Sequence, residues 1–173
     1  MRAEGALADR PLLVIGVGNR DRGDDAVGPA VIDHVRKVAP QLQTLVAEGD
    51  LSDLVLRWTP NQDVVVVDAV RSARRPGSVT VTDALATELT TEESLLSSHG
   101  VGLAETVELA RLLDRLPRSL VVVGVEAQSF GPFDPLTEDV AAAVPLALQE
   151  VLLLAGFTMD SASAAIETWD LVP

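Results

Sequence analysis

Leu-Leu-Val-Ile-Gly-Val-Gly-Asn-Arg-Asp-Arg-Gly-Asp-Asp-Ala-Val-Gly, residues 12–28, decides how the whole chain reads. Residues 12–17 carry no polar side chain, as a strand covered on both faces requires, and run into Gly18. Residues 18–23 form a glycine-bounded loop. Asp24 and Asp25 then stand where a helix takes its cap and first-turn acid, ahead of Val27, Val31, Ile32 and Val35 on one helical face. Pro40 closes that helix. A buried strand, a tight loop and an amphipathic helix make one β–α unit, and the chain can be read outward from it.

Downstream, short β-branched runs alternate with helical segments. Strands are expected at 42–47 and 64–67, the latter ending at Asp68, with a short helix at 51–57 between them. Pro76-Gly77 turns into 78–82, where apolar Val79 and Val81 alternate with Ser and Thr, the pattern of an edge strand open to antiparallel pairing. A polar stretch, 87–98, leads to His99 and a helix over 101–116 that Pro117 closes. A fifth strand, 120–125, and a long helix, 137–155, complete the set. The fold class is therefore α/β, a three-layer sandwich with a mostly parallel central sheet of about five strands flanked by helices. No repeat interrupts it. The domain spans 11–155, with an N-terminal extension at 1–10 and a linker-like tail at 156–173.

Composition narrows the chemistry. The 173 residues hold no cysteine, which excludes disulfides, a thiolate metal site and a thiol nucleophile. Thirteen basic against 26 acidic residues leave a net charge of −13, which disfavours nucleic acid and anionic lipid as partners. The apolar runs are far shorter than the roughly 20 residues of a bilayer crossing, and the N-terminus has no signal-peptide core, so a cytoplasmic protein is expected.

In an open α/β sheet, ligands gather beyond the carboxyl ends of the parallel strands. There the sequence places Gly18, Asn19, Asp24 and Asp25 after the first strand, Asp68 after the third, and Gly124, Glu126 and Gln128 after the fifth, with His99 in reach of the same edge. Taken singly, Asp24 reads as a helix cap and Asp25 as a first-turn acid. His34 reads as an ordinary mid-helix histidine, and Gly16, Gly18 and Gly28 as packing or turn glycines. Trp58 and Trp169 read as packing or rim residues. Asp68, ending a run of four valines, is the one that position marks as functional. A dinucleotide site is the rival reading, since Gly16-Val-Gly18 follows a strand and Glu48 ends the next one. Its third glycine would fall on Asp21, and the carboxylates of Asp24 and Asp25 would oppose a pyrophosphate at the helix start.

Residues 18–28 also resemble the Gly-Asn-x4-Asp-[Asp/Glu]-x2-Gly signature of the hydrogenase maturation proteases. Glu48-Gly49, Val67-Asp68-Ala69, Pro76-Gly77, Ser98-His99 and Gly124-Val125-Glu126 follow in that family's order, so the resemblance covers about residues 11–155. It implies a phosphorylase/hydrolase-like sandwich and a cytoplasmic, nickel-dependent, aspartic-type endopeptidase. Such an enzyme removes a C-terminal extension from a [NiFe] hydrogenase large-subunit precursor after nickel insertion. It further implies that Asp25, Asp68 and His99 are the catalytic, metal-contacting residues. Gly18, Asn19, Asp24, Gly28, Gly124 and Glu126 would support them. Asp25 stands where some members carry Glu, and Glu167, Trp169 and Asp170 in the tail match no landmark. No organic cofactor is expected, and the nickel is expected to arrive on the substrate. A noncatalytic, metal-dependent binding module for the same precursor is the alternative.

Overall fold

The computed structural model describes residues 11–86 and 102–167. Five strands form one sheet: β1 (Leu12–Val17), β2 (Gln43–Ala47), β3 (Asp63–Val70), β4 (Val79–Asp83) and β5 (Ser119–Glu126), in the order β2-β1-β3-β5-β4. All neighbours run parallel except β4, which lies antiparallel to β5 at the edge, as its alternating side chains require. Among the described residues four helices flank it: α1 (Val27–Val38), α2 (Leu103–Leu112), α3 (Glu138–Leu154) and α4 (Met159–Glu167).

The pleat sorts the strand residues into two cores. Val14, Val65, Val67, Val123 and Val125 face α1 and α3, where Val31, Ile32, Val144 and Leu148 are fully or almost fully buried. Ile15, Val64, Val66, Leu120 and Val122 face α2 and the short 3-10 turn Ser52–Leu56. Trp58 fills that second core and donates its indole N–H to the Arg115 carbonyl at 3.0 Å, so it packs as expected. Three layers result.

Several boundaries differ from the sequence expectation. The third strand continues through Asp68 to Val70, because β5 pairs with it residue by residue as far as Glu126. A polar side chain does not end a strand while its backbone keeps a partner. The helix expected at Asp24 opens with a 3-10 turn, Gly23–Ala26, before α1. α2 stops at Leu112 rather than running to Pro117, and Asp114 turns left-handed at φ +54°. The tail that reads as a linker from about Gly156 contains α4, whose Ala162 is wholly buried against the α3 side of the core. The extension at 1–10, the polar stretch 87–98, His99 and Trp169–Asp170 lie outside the described residues.

Candidate active site

The carboxyl ends of β1, β3 and β5 lie side by side: Gly16 of β1 is in register with Val67 of β3, and Asp68 with Gly124 of β5. Asp68 shares the strand face of Val64 and Val66, so it points towards the α2 layer from the end of the sheet. Asp25, in the 3-10 turn that enters α1, is brought up to it.

Glycines bring the two carboxylates together. Gly28 lies so close to the sheet that a Cβ there would overlap the Val17 carbonyl oxygen and come within 2.7 Å of the Val67 oxygen. Its hydrogen lets the start of α1 rest on β1 and β3. Gly18, at φ +132°, turns the chain beneath Asp25, and a Cβ there would overlap the Asp25 carbonyl oxygen. Asn19 follows and orients the acid. Its backbone N–H donates to Asp25 Oδ2 at 2.9 Å, and its side-chain amide donates to Glu48. Its own Oδ1 accepts from Asp21 N–H at 2.7 Å.

The electrostatics of the pair follow from burial. Asp68 is pushed up to about 8, first by desolvation and second by the like charge of Asp25, against the stabilising N–H of Ala69. Asp25 is also raised by burial, but the Asn19 N–H and the Arg22 guanidinium favour its ionised form, while Glu48 opposes it. The two carboxyls therefore act as a coupled pair in which Asp68 holds the proton at neutral pH. Carboxylate oxygens, with or without an imidazole, are donors that nickel or zinc accepts. Among the described residues no group of three or more His, Cys, Asp or Glu is poised for a metal. The pair by itself offers carboxylate oxygens from two residues.

Asp24 departs from the cap reading. It is wholly buried and caps neither its own turn nor α1. Its carboxylate accepts from the N–H groups of Gln128, Ser129 and Thr137 at 2.7–2.9 Å and from the Thr137 hydroxyl at 3.1 Å. Thr137 is the N-cap of α3, so Asp24 ties the β1 loop to the loop after β5 and to the start of the last long helix. Glu126, also buried, accepts from the N–H and hydroxyl of Ser72 and thereby anchors the loop after β3. Gly124 packs against Thr80 and Val70 beside Asp68. Arg22, Arg71 and Phe130 around the pair escaped sequence reading. They belong to no motif, and three loops bring them together only in space.

A profile of the hydrogenase maturation protease family matches residues 41–153. The hydrogenase 2 maturation protease of Escherichia coli is 30% identical over 146 residues, covering 82% of this chain and 88% of that protein. The chain belongs to the hydrogenase maturation protease family. The hydrogenase expression/formation protein HupD of Bradyrhizobium diazoefficiens is 28% identical over 166 residues, covering 91% and 86% of the two chains. The solved structure of the hydrogenase maturating endopeptidase HybD from E. coli superposes with a TM-score of 0.68 at 26% identity, over 83% of this chain and 90% of that one. Membership in this family makes the protein a peptide-bond hydrolase, and the dinucleotide reading falls away. Where that reading needs bare N–H groups at the helix start, this chain places two carboxylates there.

Proposed function

We propose that the protein is a cytoplasmic endopeptidase that removes the C-terminal extension of a [NiFe] hydrogenase large-subunit precursor after nickel insertion. On this reading Asp25, Asp68 and His99 recognise nickel carried by the precursor. The supporting observation is the coupled pair: two carboxylates, one in the turn after β1 and one near the end of β3, the second held protonated by burial and by the charge of the first, at the carboxyl edge of the sheet. Structural networks satisfy their acids, as Asp24 does. This pair keeps a proton instead, at a cost in stability that suits a group reserved for a ligand.

Docking a precursor whose nickel is still incompletely ligated lets Asp25, whose charged form the Asn19 N–H and Arg22 favour, contribute its oxygens, while Asp68 gives up its proton to do the same. That proton becomes available where the scissile amide must acquire one. Asn19 holds Asp25 in place, and Asp24 and Glu126 fix the loops that form the walls. The aspartic-type character lies in the division of labour between an ionised and a protonated carboxyl. An unmatured precursor, lacking nickel, would find a neutral Asp68 and no reason to bind, so recognition doubles as a check on maturation.

The test is incubation with purified nickel-loaded precursor and mass analysis of its C-terminus. Wild type should shorten the chain, while Asp25→Asn, Asp68→Asn and His99→Ala each slow processing by about 100-fold or more. His34→Ala, in mid-helix, should process normally. Tight binding of the precursor with no shortening would leave a noncatalytic binding module as the correct reading.

A further inference from the structure

An acidic molecule with net charge −13 carries, beside its carboxylate pair, a loop of opposite sign. Residues 69–82 contain no acidic side chain, and Arg71, Arg74 and Arg75 place three of the chain's thirteen basic residues within five positions. All three are exposed. The salt bridges formed by Arg20, Arg36, Arg111 and Arg118 among the described residues involve none of these three.

The loop is built to hold its shape. Ala127 N–H donates to the Val70 carbonyl at 2.9 Å, Ser72 is fixed by the buried Glu126, and Gly77 N–H donates to the Glu126 carbonyl at 2.8 Å. Ala73 sits at φ +59°, a conformation that a non-glycine residue keeps only where its surroundings impose it. The Arg71 guanidinium lies 4.7 Å from the centre of the Phe130 ring and donates to the Gln128 carbonyl, and Arg22 approaches the same ring at 5.9 Å. Arg22 directly precedes the turn that carries Asp25, and Arg71 follows Asp68 by three residues, about 10 Å along a strand. The two cations therefore share one ring at the carboxyl edge of the sheet, on the loops that directly follow β1 and β3.

We infer that the loop Arg71–Arg75, with Arg22, is a docking rim for an acidic segment of the polypeptide substrate next to the bond to be cut. This rests on the proposed function for the identity of that substrate. At physiological ionic strength charges are felt over about 8 Å, so a peptide in the cleft responds to this rim rather than to the acidic surface beyond it. Rim charges set encounter and salt dependence more than the chemical step. A negatively charged segment would thus be steered in and oriented by the arginines while Asp25 and Asp68 engage the reaction centre. An extended nucleic acid reaches well beyond the rim and meets the acidic surface, so it is the poorer fit.

The experiment uses the full chain, Arg74→Glu/Arg75→Glu as the variant, and two readouts. The first is fluorescence anisotropy with labelled oligoglutamate, oligoglutamine and oligothymidylate. The second is the KM and kcat for nickel-loaded precursor. Wild type should bind oligoglutamate in a salt-sensitive way and the other probes more weakly. The variant should lose oligoglutamate binding by about tenfold or more and raise KM by a similar factor, with kcat within about twofold. Unchanged melting shows that the variant is folded, and Arg74→Lys/Arg75→Lys should restore binding. Equal oligoglutamate binding by wild type and variant, or tighter binding of oligothymidylate by wild type, overturns the docking rim. If the precursor is not cleaved at all, the proposed function fails, and the peptide titration still decides the rim.

Discussion

Asp24 and Asp25 are adjacent, identical in type and opposite in use. Asp24 accepts from three N–H groups and a hydroxyl and is a structural tie; Asp25 has one donor from the Asn19 backbone and a like-charged neighbour in Glu48. Their environments predict opposite mutational results. Asp24→Ala leaves the half-buried N–H groups of Ser129 and Thr137 and that of Gln128 without their acceptor and should destabilise by roughly 3 kcal/mol in urea unfolding. Asp68→Asn should stabilise. The unfolded chain releases that proton near 3.8 and the native protein near 8. Between those values the native state binds the extra proton, so wild-type stability falls as pH rises through that window and levels off above it. The variant should lose this slope, equalling wild type near pH 4 and exceeding it at pH 8. Identical pH profiles would show that burial does not hold the proton. At this scale the sequence is informative but ambiguous: it points to both aspartates, yet only the loops arriving from residues 128–137 reveal which one is satisfied.

Among the elements, the β1–α1 unit carries the site, and it is also the most legible part of the chain. Its apolar run, glycines and helical face are all local signals. The Gly18 turn and the Gly28 contact convert that local pattern into the placement of Asp25. Gly18→Val should be strained by about 1–3 kcal/mol from its φ alone, with the overlap on Asp25 added. The expected outcome is a lower melting temperature and lost processing in the fraction that still folds. Normal activity would remove this loop from the site. The errors of the sequence reading are likewise elemental. β3 outruns its valines because β5 accompanies it, and α4 forms in a segment whose helical potential is realised only by packing against α3. Non-local partners decide both, and no window of sequence contains them.

For the whole molecule, the sheet order brings β1, β3 and β5 together in the middle, so that three loops distant in sequence share one edge. That convergence turns two ordinary acids into a coupled pair and places cations on its rim. The α/β class, the five strands and the antiparallel edge were all readable from the alternation of runs. The lateral order of the strands was not, because hydrophobic periodicity reports which face is covered and says nothing about which strand lies alongside. The central claim is that the pair meets nickel brought by the substrate and surrenders the Asp68 proton on docking. Since protonation competes with that contact, productive binding of the loaded precursor should weaken as pH falls below about 8. The most direct measurement pairs chelator-treated, desalted enzyme with nickel-loaded and nickel-free precursor, without added metal, and follows the C-terminal mass over time. The account predicts that only the loaded precursor is shortened, faster at pH 8 than at pH 6. Cleavage of both at equal rates would contradict it and leave an ordinary carboxylate hydrolase in its place.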